Sequence, residues 1–302
     1  MFIIMNSDCT TKEQIADGAC VVRLDRLIFN ATARNSIGIQ NVPGYRRVGD
    51  FRPHRQGKIV TYGRVLKLRS TSNTSKIDIQ HDPRVPWVDP QRVAMIGHDQ
   101  TGLNSEEIDN VRSQCLHHIL SLVELALDFT PESGVDCEFV LRHGRFGKSR
   151  RRVDRGGPDS LRFGGRLCPK LVRCYFKQEL GCFRVELEMH RSLLRKAGVE
   201  KVCDLGTAAV ITVPAHLKFV AFRWSKLQAY LSRRFGKDGV RICDDTRRRA
   251  VHSLRAATKY LATNGVANPH RFLAPLRINR DIKAALRSWA DRFSLEEPEP
   301  WK

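Results

Sequence analysis

Apolar and polar residues alternate along much of the first two hundred positions, and the period becomes helical beyond Ser192. Residues 18–30 and 58–80 read as strands separated by Gly, Pro and Ser/Asn turns. The alternation at 58–68 and 76–80 predicts half-buried antiparallel strands, and 93–97 predicts another short one. Residues 105–119 form a predicted helix, capped by Asn104 or Ser105, with Glu106 and Glu107 in its first turn. A strand at 121–130 follows, then a helix of about three turns from Pro131 to near Gly144. Three strands are predicted at about 159–164, 170–177 and 183–190. Helical spacing then covers 225–235, 246–263 and 279–293, all rich in Arg and Lys.

The fold class expected from this order is α+β: an antiparallel sheet flanked by helices, with a basic, mostly helical C-terminal region. Residues 1–100 form its β-rich N-terminal part, 101–235 the catalytic core of the same domain, and 236–302 the basic helical region.

Period-two geometry gives the strands chemically distinct faces. Arg173, Tyr175 and Lys177 share one face, and Arg184, Glu186, Glu188 and His190 share another. The link Glu179-Leu180-Gly181-Cys182 has the length of a four-residue hairpin loop, which pairs Gln178 with Phe183. Tyr175 then faces Glu186, and Lys177 faces Arg184. In the strand at 121–130, Glu124 and Asp128 share a face, and Val123, Leu125, Leu127 and Phe129 form the other. If this strand neighbours the hairpin, four carboxylates converge on one tyrosine.

Clustered carboxylates bind hard cations such as Mg²⁺ or Mn²⁺, and such a metal polarises a phosphodiester. A tyrosine hydroxyl attacks phosphorus to give a covalent phosphotyrosine, with Lys177 or Arg173 holding the phosphate or lowering the tyrosine pKa. The ordinary alternative is a solvated sheet face laced by cross-strand ion pairs, with a packing tyrosine. Periodicity leaves both open. Of Tyr45, Tyr62, Tyr175, Tyr230 and Tyr260, only Tyr175 has a basic residue two positions to either side and a facing acidic strand.

Charge narrows the partner. The chain carries 52 Lys+Arg against 32 Asp+Glu, a formal net charge of +20. A polyanion offsets that field and releases counterions on binding, which points to nucleic acid. The stretch from Arg145 through Lys148, Arg150, Arg151 and Arg152 is a candidate phosphate clamp, or a solvated charge run. Arg247, Arg248 and Arg249, at the start of a predicted helix, are candidates for groove contact; the alternative is a helical pair packed for stability. The apolar start Met1–Met5 is too short for a signal or a span, so the expected location is the cytoplasm. Nine scattered cysteines without a CxxC read as reduced thiols.

Four motifs in order carry a family resemblance. They are Leu122-Val123-Glu124-Leu125-Ala126-Leu127-Asp128, Leu161-Arg162-Phe163-Gly164-Gly165-Arg166, Val172-Arg173-Cys174-Tyr175-Phe176-Lys177 and Arg184-Val185-Glu186-Leu187-Glu188-Met189. Over about residues 120–195 the chain resembles rolling-circle replication initiation factors of plasmids and filamentous phages, of the class lacking a His-hydrophobic-His motif. The resemblance implies metal-assisted nicking and rejoining of one DNA strand at a replication origin. Tyr175 would be the nucleophile, aided by Lys177 and Arg173, with Glu186, Glu188, Asp128 and Glu124 as metal ligands. Origin DNA is the implied partner, a membrane is not, and a homodimer stays open.

Two positions depart from the family pattern. Glu124 stands where Asp is usual, and Phe176 where Asp or Asn is usual, although 176 points away from the face of Tyr175. His117 and His118 fall in the predicted helix and face different ways. A basic DNA-binding protein without a nuclease centre is the second function class, and an RNA-binding protein the third; no RNP-like or KH-type motif is present.

Overall fold

A computed structural model describes residues 20–33, 42–48, 54–56, 59–61, 64–72, 75–81, 91–98, 100–146, 160–165 and 168–293. Seven strands come first: β1 (Cys20–Ala33), β2 (Tyr45–Arg47), β3 (His54–Gln56), β4 (Ile59–Thr61), β5 (Arg64–Ser70), β6 (Lys76–His81) and β7 (Gln91–Ile96). Helix α1 (Ser105–Arg112), strand β8 (Cys115–Phe129) and helix α2 (Cys137–His143) follow. Then come β9 (Leu161–Phe163), β10 (Lys170–Lys177), β11 (Cys182–His190), α3 (Arg191–Lys196), α4 (Leu205–His216) and β12 (Val220–Phe222). The chain continues through α5 (Trp224–Phe235), α6 (Lys237–His252), α7 (Leu254–Thr263), β13 (Leu273–Pro275) and α8 (Ile278–Arg292).

A nine-stranded antiparallel sheet in the order β2-β5-β6-β7-β1-β8-β11-β10-β9 dominates the fold. The α+β expectation is met: a large antiparallel sheet, helices flanking it and a helical C-terminal region. None of the described helices is long and apolar enough to cross a membrane.

Two hydrophobic cores are present. The larger packs the apolar sheet face, including Leu24, Leu125 and Val185, against α3, α4 and α8. The smaller, from Val220 to Phe272, gathers α5, α6 and α7 around Leu227, Leu231, Ala257 and Leu261. Helix α8 returns to the larger core, where Ile282, Leu286 and Trp289 are buried, and it packs on β1 and α4. The cores meet at Phe219, whose neighbour Val220 already belongs to the second. Asn279 fastens this junction: its Oδ1 accepts from Phe219 N at 2.9 Å and its Nδ2 donates to Phe219 O at 2.6 Å.

Several local expectations are corrected. Asn104 caps α1 through a reciprocal bond pair with Glu107, but the helix ends at Arg112. Residues from Cys115 onward are strand, because β8 pairs with β1 along its whole length, from Cys20↔Phe129 to Ala33↔Cys115. His117 and His118 therefore lie in a strand, the first exposed and the second buried. The helix expected from Pro131 is two pieces. Pro131–Ser133 is a single 3-10 turn ended by Gly134 at φ 66°, and α2 starts afresh with Asp136 accepting from Phe139 N at 2.6 Å. The helix expected at 246–263 is also two. Ser253, extended at φ −166°, ends α6 and caps α7. The described cysteines are all free thiols.

Candidate functional site

The polar face of the central strands is built around β8. Its neighbours are β1 and β11, and β10 lies beyond β11. Register sets Glu188 opposite Glu124, Glu186 opposite Ala126 and Arg184 opposite Asp128. The expected convergence of this strand with the hairpin is present. The hairpin register differs by two residues from the expected one: Tyr175 pairs with Arg184, Arg173 with Glu186 and Lys177 with Cys182. Its loop is Gln178–Gly181, because Gly181 takes a left-handed φ of 60° at the last loop position. A shift of two preserves the face, so Arg173, Tyr175, Lys177, Arg184 and Glu186 remain together.

A residue missed in the sequence completes the group. Strand β1 slips register between Leu24, opposite Leu125, and Arg26, opposite Glu124, so Asp25 is the extra residue of a β-bulge. The bulge is held from outside by Gly97 N to Asp25 O at 2.8 Å and Leu103 N to Leu24 O at 2.7 Å. It brings Asp25 and Arg26 together onto the polar side while Leu24 and Leu27 stay in the core. The sequence signal was present: two consecutive polar residues, Asp25-Arg26, interrupt an alternating strand.

One oxygen each of Asp25, Glu124 and Glu186 lies within 4.8 Å of the others. The Tyr175 hydroxyl donates to Glu186 Oε1. Arg173 joins the carboxylates, with Nη2 on Glu124 Oε1 and Nε 2.7 Å from Glu186 Oε2. Arg26 Nη2 lies 3.0 Å from Glu124 Oε2. The other two expected ligands point elsewhere. Asp128 is held by Arg23 at 2.7 Å and by Arg184, while Glu188 Oε1 is 2.8 Å from His190 Nε2.

The electrostatics are unevenly balanced. Burial pushes Glu124 up to about 7 despite the guanidiniums of Arg173 and Arg26, and Glu186 and Glu188 add to the rise. Burial likewise pushes Asp25 up to about 6; Arg184 and Lys177 oppose that, and Glu186 and Asp128 reinforce it. Burial first, then the charge of Glu186, holds the Tyr175 phenol well above its ordinary range. Asp25 Oδ1 is buried with no hydrogen-bond partner among the described residues. An all-oxygen donor set with an orphaned oxygen fits a hard divalent cation. Lys177 is buried on the same face, and Phe176 is half exposed on the other.

The remaining candidates lie apart. Arg145 is exposed at the end of α2, beside the junction of the two cores. Lys148, Arg150, Arg151 and Arg152 lie outside the described residues. Arg247, Arg248 and Arg249 are in the last turns of α6, not at a helix start. Arg247 stacks 5.5 Å from the Trp224 ring, Arg248 pairs with Asp245, and Arg249 sits 4.0 Å from the Tyr260 ring. Among the other described tyrosines, Tyr45 donates to Glu107 at 2.8 Å and Tyr260 to Asp245 at 2.8 Å, each outside the carboxylate cluster.

No protein-family model matches this sequence, and no curated protein matches it.

Proposed function

We propose that this chain nicks and rejoins one DNA strand through Tyr175, as a replication initiator of the rolling-circle type. The observation that carries the reading is the Tyr175 hydroxyl donating to Glu186, a member of the cluster with Asp25 and Glu124. The phenol oxygen attacks phosphorus and its proton passes to the Glu186 carboxylate. The bond from phosphorus to the 3′ oxygen breaks, leaving a 5′ phosphotyrosine, and the departing 3′ oxygen takes a proton from water to become a hydroxyl. Rejoining reverses this: the 3′ hydroxyl attacks phosphorus and the tyrosine leaves. Asp25, Glu124 and Glu186 would hold Mg²⁺ or Mn²⁺, which when bound offsets charge on the phosphate and on the phenolate. Arg173, itself partly exposed beside the tyrosine, is placed to meet a phosphate oxygen.

A second reading, a DNA-binding protein without a nuclease centre, is favoured by the same Arg173, which already bridges Glu124 and Glu186. One assay separates the two. Supercoiled plasmid carrying the protein's own replicon is incubated with Mg²⁺ or Mn²⁺ and examined for open circles with protein on a 5′ end. Tyr175→Phe keeps the ring, so binding persists and the adduct disappears. An adduct that survives Tyr175→Phe removes the assignment, and binding without any adduct in the unaltered protein favours the second reading.

A further inference from the structure

Two concave spaces adjoin where the two cores meet. The first, ≈680 Å³, is lined by α2, β9 and α7, including Phe146, Phe163, Arg255 and Lys259. The second, ≈500 Å³, lies between the end of α4 and the start of α8, including Lys218 and Lys283. Both are bordered by Arg145 and His270, so they lie side by side and are described together as one groove. Among the described residues, no Asp or Glu lines either space.

Six cationic or titratable basic side chains line the groove, and all are exposed: Arg145, Lys218, Arg255, Lys259, His270 and Lys283. Neighbouring histidines register the field. After burial, Arg145 helps hold His270 below its ordinary range, and Lys170 and Lys218 do the same to His216. The walls are fixed by Arg145 N bonded to Lys218 O at 2.8 Å and by Asn279 clasping Phe219.

We infer that this groove binds the phosphodiester backbone of an unpaired nucleic-acid strand. Exposed cations along a concave path, with no carboxylate among the described lining residues, suit a polyanion, and Phe163 in the wall is an aromatic contact for a base. Spaces of this size take small ligands or single nucleotides, whereas a duplex is met by elements that protrude into its grooves. Strand alternation sets the groove apart from the tyrosine. Phe163 pairs with Val172 on the apolar side of the sheet, whereas Tyr175 projects from the other side. The groove therefore holds a flank of the strand, not the phosphate that reacts. The inference rests on the nucleic-acid reading above, but not on cleavage.

The test is fluorescence anisotropy of the full chain with labelled oligo-dT, oligo-U and a duplex of equal length, across a salt series. Arg145→Ala, Lys218→Ala and Lys283→Ala are combined in one variant, with Lys218→Arg/Lys283→Arg as the charge-preserving control. The triple variant should bind the single strands more weakly, and its plot of log K against log salt should be shallower by about 2, at ~0.7 per lost contact. The control should keep the original slope. Equal binding of oligo-dT and oligo-U assigns recognition to the shared phosphates, and a preference between them adds contact with the sugar or the thymine methyl to the same phosphate binding. An unchanged slope in a folded triple variant, or tightest binding to the duplex, overturns the inference. If unaltered protein binds single strands in the groove yet forms no adduct, the nicking proposal fails and the groove stands. If adducts form and the triple variant keeps its slope, the groove fails and the nicking proposal stands.

Discussion

Arg184 and Asp128 form a two-point ion pair inside the sheet, Nε to Oδ1 at 2.6 Å and Nη2 to Oδ2 at 2.8 Å, and Arg184 is only 1% exposed. The same guanidinium reaches Asp25 Oδ2 at 2.9 Å, so one buried cation ties the β1 bulge to β8. Arg184→Met leaves Asp25 without its guanidinium and Asp128 with Arg23 alone, and should cost about 3–5 kcal/mol of unfolding free energy in urea titrations. The double variant with Asp128→Asn should lose less than the sum of the single variants, because both remove the same ion pair. Additive losses would mean that the two side chains act independently.

The identity of the metal-binding set is open to a direct comparison. Asp25→Asn and Glu124→Gln should each raise the Mn²⁺ concentration giving a half-maximal thermal shift by about tenfold or more, the scale of a perturbed metal site. Glu188→Gln, whose carboxylate faces His190, should change it far less. The opposite order would restore Glu188 to the site and remove Asp25.

The turn that braces Asp25 depends on a glycine. Gly102 has φ 72°, and a Cβ there would meet Leu24 O at 3.0 Å. Gly102→Ala should destabilise the protein by about 1–2 kcal/mol through the left-handed backbone alone. It should also weaken the Mn²⁺ shift, because Leu24 is the residue before the bulge. Gly134→Ala is the matched control: φ is 66°, but nothing lies within 4 Å. Equal effects on Mn²⁺ would disconnect the turn from the cluster.

His118 predicts a pH dependence. Burial lowers it to about 4, with Arg112 and Lys201 adding to the shift. The folded protein therefore takes up that proton less readily than the unfolded chain. Stability is unaffected above the ordinary histidine pKa and falls as pH drops from about 6.5 towards 4. The loss attributable to this group is about 3 kcal/mol when complete. His118→Leu should remove it, so wild-type and variant unfolding curves should converge or cross between pH 7.5 and 4.5. Parallel curves over that range would exclude His118.

The sheet was legible wherever alternation was regular, and the polar face carrying Tyr175 was read correctly even though the hairpin register was not. A loop shift of two moves Tyr175 from Glu186 to Arg184 along the strand while leaving it on the same side. Its hydroxyl still reaches Glu186 diagonally. Asp25 escaped because a bulge breaks the very alternation used to find strands. The overlong helix after Ser105 had a sound cap but no signal of the distant β1 partner that claims residues 115–120. Arg247–Arg249 looked like a helix start because helical spacing was read only from residue 246, whereas α6 begins at Lys237; Ser253, which separates α6 from α7, resembles any other polar surface position in sequence.

The return of α8 has a consequence for how the chain is made. The larger core is interrupted in sequence: residues 20–219 supply most of it, the smaller core intervenes, and Ile282, Leu286 and Trp289 supply the rest. During synthesis the sheet emerges first, yet the surface of α4 and β1 that receives α8 has no cover until some sixty further residues have been translated. The smaller core, contiguous in sequence, can close in that interval. A chain ending before Ile278 and released from the ribosome should therefore hold a folded helical module beside an incomplete sheet, and a holdase chaperone would find its target on the first half of the protein although that half was made first.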